Sequence, residues 1–398
     1  MTALLGEPKR TLALLFGAQA LAQAAQSGQV AMAGLIGYSL AEAKALATLP
    51  LAVQMLATMA VSVPGAVLFA RLGRPAGFHL GCAAYLVATV VFLSALWLGS
   101  FGLFLVGCLF SGAAFGLAQY YRFAAAEVAP PPERAKAIST VLAGGVIGAF
   151  FGPAVVKASK DWFAPVLFAG TYLAFALLPI TTAVLVSGMR LAPPPDPRGT
   201  ANVRLGPILR RPRFIVAVLS AVVGWDTMNI LMAATPLEMM LCGFSVGDSS
   251  TVIQWHAAAM FAPSFITGHL IVRFGMLRLI GAGAVLTAAC AVIALSGRSF
   301  AHFWVALVAL GVGWNFMFVG GTALLTSSYR PEERSKAQAA NDVLVFGSVA
   351  LTSVLSGALH PWVGWAVLNL LTFPALAVAL AGLVQLARIE AAALARAA

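Results

Sequence analysis

Glu133-Arg134-Ala135-Lys136-Ala137 recurs as Glu333-Arg334-Ser335-Lys336-Ala337, an offset of 200 residues. A second pair keeps nearly the same spacing: Arg71-Leu72-Gly73 returns as Arg273-Phe274-Gly275, an offset of 202. Two separate matches at almost one offset indicate that the chain is a duplicated unit. Each repeated stretch is a short charged break between long apolar runs. Reading outward from these breaks gives twelve apolar segments, at 11–38, 42–70, 76–98, 100–125, 135–157, 163–187, 213–241, 248–272, 277–297, 300–328, 336–358 and 361–387. Each is long enough for a spanning helix, which takes about 20 apolar residues. The longest polar stretch, 188–212 with Pro193-Pro194-Pro195, divides the twelve into six and six. The expected organisation is an N-terminal six-helix half over 1–187, a cytoplasmic linker over 188–212 and a C-terminal six-helix half over 213–398.

Composition narrows the class. Of 398 residues, 61% are hydrophobic and 9% charged, against about 25% charged in a soluble domain. So little charge cannot cover a water-facing surface, which excludes a soluble enzyme, a nucleic-acid binder and a disordered regulator. A membrane β-barrel would show alternating segments of about 10 residues, so the fold expected is an all-α integral membrane protein. The net charge of +11 is then a topology signal. With both termini cytoplasmic, all of the 24 Lys and Arg except Lys44, Lys157, Lys160 and Arg298 fall on the cytoplasmic side, as the positive-inside rule requires. The bilayer is therefore the expected partner, and no nucleic acid is. The first apolar run has no small-residue cleavage site and reads as a retained helix. The four cysteines form no C-x-x-C pair. Of these, Cys242 alone sits where a periplasmic solute would meet it.

Six-helix halves with internal symmetry are the organisation of major facilitator superfamily transporters. The superfamily's signature between helices 2 and 3 is Gly, three residues, Asp, Arg, one residue, Gly, Arg. Here Arg71, Gly73 and Arg74 match, with Ala70 at the Asp position; in the second half Gly268, Arg273 and Gly275 match, with Val272 at the Asp position. The chain resembles the superfamily over its whole length, although both acidic positions are apolar. The resemblance implies two pseudo-symmetric six-helix bundles, alternating access, and a cavity lined by helices 1, 4, 7 and 10. Candidate lining residues are Gln19, Gln23 and Gln26 in a stripe with Gln29, then Tyr120, Trp225, Trp314 and Asn315. A polar stripe inside a membrane marks a wet cavity or a helix interface, and the glutamines fit either. Arg71, Arg74, Arg122, Arg273, Arg134 and Arg334 are candidates for gate or loop contacts. Arg122 is expected to pair with Glu127 or with a gate carboxylate, and Asp342 to anchor loops at the cytoplasmic side.

Helix 7 carries Met228-x-x-x-Met232 and helix 8 carries His256-x-x-x-Met260. Spacing of i and i+4 puts each pair on one helix face. At 1.5 Å per residue, Met232 and His256 fall at depths of about 12–14 Å, and Met228 and Met260 at about 18–20 Å. Three thioethers and an imidazole form a soft ligand set, which selects Cu(I) over hard cations. Methionine is also an adaptable packing residue, and Met55-x-x-x-Met59 repeats the spacing; His256, ionisable in midspan, is what favours a site. Asp226 and Asn229 share another face of helix 7 and are candidates, with Cys242, for coupling or for supporting the ligands.

These pairs, with Tyr121-Arg122-Phe123-Ala124-Ala125-Ala126-Glu127, Gly311-Val312-Gly313-Trp314-Asn315-Phe316 and Asn341-Asp342, resemble the CcoA-like (CalT) copper importers of the superfamily. The resemblance implies copper as transported substrate rather than cofactor. It implies Met228, Met232, His256 and Met260 as metal ligands, a bacterial inner membrane, and supply of copper to cbb3-type cytochrome c oxidase. Copper chaperones or oxidase assembly factors would then be partners, and a monomer is expected. The wider group includes members associated with riboflavin. The alternative is therefore a carrier of riboflavin or another small organic solute, with Trp225, Trp255, Trp314 and Tyr120 as stacking groups. A membrane scaffold or sensor is a third reading, opposed by the polar cavity residues. No nucleophile triad or phosphate-binding glycine loop occurs, so secondary transport rather than enzymatic or ATP-driven chemistry is expected.

Overall fold

The computed structural model describes residues 7–43, 46, 47, 49–191 and 203–397. Lys44 and the middle of the predicted linker, 192–202, lie outside the described residues. Among the described residues there is no strand. The helices are α1 (Glu7–Leu40), α2 (Leu49–Ala60), α3 (Ser62–Leu98), α4 (Phe101–Ala118), α5 (Tyr121–Val128), α6 (Arg134–Ser159), α7 (Ala169–Phe175), α8 (Leu177–Ser187), α9 (Leu205–Leu209), α10 (Pro212–Leu241), α11 (Val246–Phe261), α12 (Ser264–Phe274), α13 (Met276–Ser296), α14 (Phe300–Thr326), α15 (Arg334–Leu370) and α16 (Thr372–Ala397). Among the described residues, eight helices are long and apolar enough to cross a membrane, or nine when the pair Gly247–Phe261 and Ser264–Phe274, bent by 43°, counts as one span.

The two sequence repeats are repeats of backbone geometry. Gly73 interrupts α3 at φ 83°, ψ 169°, and Gly275 ends α12 at φ 89°, ψ 153°. That region is open essentially to glycine alone, so Arg-x-Gly marks the same sharp turn twice. Each Glu-Arg-x-Lys copy closes a 3-10 turn, Pro131–Glu133 or Pro331–Glu333, and starts a long helix at Arg134 or Arg334. Several predicted bounds shift for local reasons. The second segment starts at Leu49 rather than 42, with Pro50 in the first turn, where its missing N–H goes unmissed. The fourth breaks at Gln119 and Tyr120 into α4 and α5. The sixth starts at Ala169 rather than 163. The boundary expected after 358 falls instead at Gly364, at φ 74°, ψ 169°.

The chain forms two compact units. Unit 1 is Met1–Glu133, Thr140–Val203 and Gln338–Ala350; unit 2 is Arg134–Ser139, Arg204–Ala337 and Leu351–Ala398. Two helices are therefore divided: the first turn and a half of α6 belongs to unit 2, and residues 338–350 of α15 belong to unit 1.

Within unit 1, α6 lays Gly144, Gly148 and Gly152 along α1. A Cβ there would come 2.5 Å from the Phe16 carbonyl oxygen, 2.6 Å from that of Ala20 and 2.2 Å from that of Ala24. Small residues four apart let membrane helices approach this closely, and dispersion between backbones then holds them. Nearby, Phe92 stacks on Tyr172 with centroids 4.4 Å apart. Within unit 2, a Cβ on Gly283 would come 2.7 Å from the Gly313 carbonyl oxygen, and one on Gly311 would come 2.7 Å from that of His256. These glycines press α13 and α11 onto α14. On the outside, α8 exposes Leu177, Ile180 and Val184, one apolar helix face suited to lipid.

Candidate functional site

In unit 2 the apolar interior is dominated by aromatic rings. Trp314 on α14 is 2% exposed. It stacks on Phe318 at 4.9 Å and 25°, and it meets Trp225 of α10 edge-to-face at 5.0 Å and 89°. Phe261 of α11 meets it at 5.6 Å and 73°. Aromatic pairs favour these offset and T-shaped arrangements because ring edges are positive and faces negative. The Trp314 indole Nε1–H is buried without a hydrogen-bond partner. Of the four stacking groups expected, Trp225 and Trp314 therefore come together. Trp255 is exposed and meets Trp304 instead, at 5.8 Å. Tyr120 lies in unit 1 against Phe69, at 4.6 Å.

One helix away, His256 is fully buried. Its Nδ1 lies 2.7 Å from the Leu307 carbonyl oxygen of α14. A carbonyl only accepts, so Nδ1 carries the hydrogen and Nε2 presents a lone pair. That Nε2 is buried and has no partner. Fixing one imidazole nitrogen on a carbonyl is how ligating histidines are oriented, and the same lone pair also suits a donor group on an organic solute. Met228 and Met260 are buried, and Met232 is half-buried. Among the described residues no group of three or more His, Cys, Asp and Glu is arranged to hold a metal ion. Cys242, half-buried where the other three cysteines are buried, ends α10.

Asn315 is also fully buried, and its amide is spent on the bend between α11 and α12. Its Nδ2 donates to the Met260 carbonyl oxygen at 2.7 Å and to Ser264 Oγ at 2.6 Å. Its Oδ1 accepts from Thr267 Oγ1 at 2.7 Å. Pro263 in that bend has no amide hydrogen, and Asn315 ties the broken turn to α14. Asp226 and Asn229 do share a face: Thr352 of α15 donates to Asp226 Oδ1 at 3.3 Å, and Asn229 Nδ2 donates to Thr352 Oγ1 at 3.2 Å and to Ser353 Oγ at 2.9 Å.

Unit 1 has its own interior space. A cavity of about 50 Å³ lies among α1, α3, α4 and α8, where Gln26, Cys82, Tyr85, Ser111 and Thr182 supply its polar atoms. The Tyr85 hydroxyl is buried without a partner. The repeat explains the space: an offset of 200 sets Ala114 and Ala118, both lining it, against Trp314 and Phe318 of the aromatic cluster. The glutamine stripe serves partly as helix glue. Gln54 Nε2 donates to Gln26 Oε1 at 2.7 Å, and the Tyr172 hydroxyl donates to Gln29 Oε1 at 3.0 Å. Gln19 is buried and Gln23 half-buried. The Tyr120 hydroxyl donates to the Ser62 carbonyl oxygen at 3.0 Å.

The arginines sort into two kinds. Arg71 and Arg273 are exposed, while Arg134 and Arg334 are half-buried. Arg74 and Arg122 are buried and paired. Arg74 meets Glu127 at 2.6 Å and donates to Gln338 Oε1 at 2.8 Å. Arg122 meets the carboxylate of Asp342 at 2.6 Å, with both side chains 1% exposed. Asp342 is deeply buried in this pair, where a loop anchor was expected. A reading by segments missed Phe261, Phe318, Tyr85 and Thr182; the offset of the repeat was the one signal that linked Phe318 and the cavity alanines.

A family model described as Major Facilitator Superfamily matches residues 15–275 and 227–395. The riboflavin transporter RfnT of Brucella anthropi is 38% identical over 379 residues, 94% of this chain and 95% of that one. The uncharacterized MFS-type transporter YddS of Bacillus subtilis is 29% identical over 371 residues, 88% of this chain and 84% of its own. Among solved structures, the E. coli fucose:proton symporter FucP has a TM-score of 0.75 at 16% identity, covering 94% of this chain and 97% of its own. The human organic anion transporter MFSD10 has a TM-score of 0.78 at 12% identity, covering 94% and 99%. At these identities the solved structures speak for the fold alone.

Proposed function

The chain belongs to the major facilitator superfamily and is a multi-pass secondary transporter rather than an enzyme, and on that premise we propose that it carries riboflavin or a closely similar planar heterocycle. The observation that carries this reading is the aromatic cluster of the buried Trp314, Phe318 and Phe261 with the half-buried Trp225. Stacking surfaces of this kind recognise flat heterocycles through the π-face. The unpartnered Trp314 indole N–H and the His256 Nε2 lone pair add one donor and one acceptor, matching the alternating carbonyl and N–H edge of a flavin ring. The relation to a riboflavin transporter over nearly the whole chain supports the same cargo. The distribution of Lys and Arg supports both termini lying in the cytoplasm of a bacterial inner membrane.

Copper is the second reading. One observation favours it: the His256 tautomer, with Nε2 buried and without a partner on the same helix, α11, that carries Met260. Met228, Met232, His256 and Met260 are its ligands, and copper chaperones or oxidase assembly factors are partners only under it. The full-length relation to a riboflavin carrier ranks it below the solute reading.

Radiolabelled riboflavin uptake in a riboflavin-requiring strain, run beside radiolabelled copper uptake, separates the two. Trp314→Ala is expected to reduce riboflavin uptake about tenfold to a hundredfold, from a stacking contribution of about 1–3 kcal/mol. Wild-type protein that supports copper uptake but no riboflavin uptake would reverse the order.

A further inference from the structure

Beside the aromatic cluster, α10 carries a polar patch. Asp226 follows Trp225 directly in the chain, and Asn229 lies about 4.5 Å further along the helix axis. Both face the part of α15 that shares their unit, which resumes at Leu351. Thr352 Oγ1 donates to Asp226 Oδ1 at 3.3 Å. Asn229 Nδ2 donates to Thr352 Oγ1 at 3.2 Å and to Ser353 Oγ at 2.9 Å. That spends both of its hydrogens and leaves Oδ1 as an acceptor. Asp226 and Asn229 are half-buried. A carboxylate in midspan faces a bundle interior or a water-filled cavity rather than lipid, and partial exposure selects the second.

The repeat shows that two helices can meet here without this chemistry. At the offset of 200, Thr352 corresponds to Gly152, Ser353 to Pro153 and Asp226 to Gln26. In unit 1 the corresponding helices α6 and α1 are closed by small residues: a Cβ on Gly152 would run into the Ala24 carbonyl oxygen. The hydroxyl of that joint, Ser27, donates to the Gly148 carbonyl oxygen at 2.8 Å, a backbone bond with no charge in it. Unit 2 thus adds a carboxylate and two hydroxyls to a contact that its sister makes largely with backbone. The stretches 214–272, 299–329 and 337–387, which make up all but the ends of α10 to α12, α14 and α15, contain no Lys or Arg. What these helices supply at the patch is therefore oxygen acceptors and one negative charge.

We infer that Asp226 and Asn229, braced by Thr352 and Ser353, form a subsite for a polyhydroxylated chain carried on a planar heterocycle, and that this subsite selects a neutral chain over a phosphorylated one. The inference rests on the riboflavin reading and sharpens it. Riboflavin joins a flat ring to a ribityl chain that bears several hydroxyls. With the ring stacked at Trp225 and Trp314, the chain lies along the next turn of α10. Its hydroxyls donate, Asp226 and Asn229 accept, and a charged acceptor makes the stronger bond. A chain ended by phosphate brings like charge to Asp226, an unfavourable contact of the kind that sets specificity. A ring that lacks the chain keeps the stacking and forfeits these bonds.

The test is counterflow of radiolabelled riboflavin by full-length protein in proteoliposomes, which needs no driving ion. Two competitors are used: lumichrome, the ring without the chain, and flavin mononucleotide, the chain ended by phosphate. In wild type each should need at least about tenfold the concentration of unlabelled riboflavin for half inhibition. Asp226→Asn keeps the shape and removes the charge. It should raise the riboflavin KM about tenfold to a hundredfold, as for a lost bond to a charged group, leave inhibition by lumichrome within about twofold, and improve inhibition by flavin mononucleotide. Asn229→Leu should raise the riboflavin KM in the same sense, again with lumichrome unchanged. A patch that only held α10 to α15, or a carboxylate that only drove transport, would lower the folded yield or the maximal rate and keep the wild-type ratio of riboflavin to lumichrome affinity. That result, or lumichrome competing as well as riboflavin in wild type, overturns the subsite and leaves the riboflavin reading standing. No riboflavin counterflow by folded wild type overturns the cargo reading, and the subsite with it. If Asp226→Asn does not fold, wild-type competition and Asn229→Leu decide the matter.

Discussion

Replacing Asn315 with alanine removes three hydrogen bonds at one bend. Asn315 donates to the Met260 carbonyl oxygen and to Ser264 Oγ, and accepts from Thr267 Oγ1, all within 2.7 Å. The bend of 43° follows Pro263, and in lipid a freed backbone group finds no water. An interhelical hydrogen bond in a membrane protein averages about 0.6 kcal/mol and reaches about 1.7 kcal/mol, so three together are worth about 2–5 kcal/mol. Because the side chain is fully buried and all its bonds go to protein, the loss belongs to stability rather than to cargo affinity. Unfolding by SDS titration in mixed micelles measures the first, and uptake kinetics on the surviving folded protein measures the second. Asn315→Ala and the similar-sized Asn315→Leu should both lose about 2–5 kcal/mol while the KM for cargo stays within about twofold. If Asn315→Ala is as stable as wild type to within about 0.5 kcal/mol and its KM rises, Asn315 faces cargo and the clamp is refuted.

Gly148→Leu places a side chain where a Cβ already comes 2.6 Å from the Ala20 carbonyl oxygen; α1 and α6 must separate, and the folded yield by size-exclusion chromatography should fall well below that of Leu177→Ala on the lipid-facing stripe. Arg211 donates two hydrogen bonds to Glu333, at 2.5 and 2.7 Å, and these hold the Glu333 carboxyl below the usual carboxylate range. A lowered carboxyl stabilises the fold above its unfolded value near about 4.3 and loses that contribution as pH falls through the folded value. Glu333→Gln should therefore flatten the acid limb of a thermal-stability profile, and an unchanged limb would count against the pair. His256→Ala should weaken cargo binding under either cargo reading, whereas Met232→Ala should matter only for copper; riboflavin and copper uptake measured on both variants tell which.

Much of the architecture was legible before any coordinates. Repeated Arg-x-Gly and Glu-Arg-x-Lys, seen first as an offset, are repeated turns at Gly73 and Gly275 and repeated helix starts at Arg134 and Arg334. The bounds that moved did so at Pro50, Gly364 and the Gln119–Tyr120 break, where one residue's backbone chemistry outweighs the hydropathy of a run. The candidate site was legible only in part. Trp225 and Trp314 were named as stacking groups and do meet, but Trp255 and Tyr120 point elsewhere, since periodicity assigns a helix face without saying what that face meets. Asn315 was taken for a cavity residue because it is polar in midspan, and the bend that consumes it depends on Pro263 in another helix.

The amino-acid sequence by itself determined the membrane class, the twelve-segment plan and the duplication, because too little charge, long apolar runs and a fixed offset are properties of the chain read along its length. Only the tertiary structure decided the partners: that Arg122 meets Asp342, and that His256 spends Nδ1 on α14 and keeps Nε2 without a partner. These are choices among groups up to 220 residues apart. The energy that settles them comes from burial and geometry in the folded interior, where an unpaired ion or lone pair is costly, and no local pattern records it.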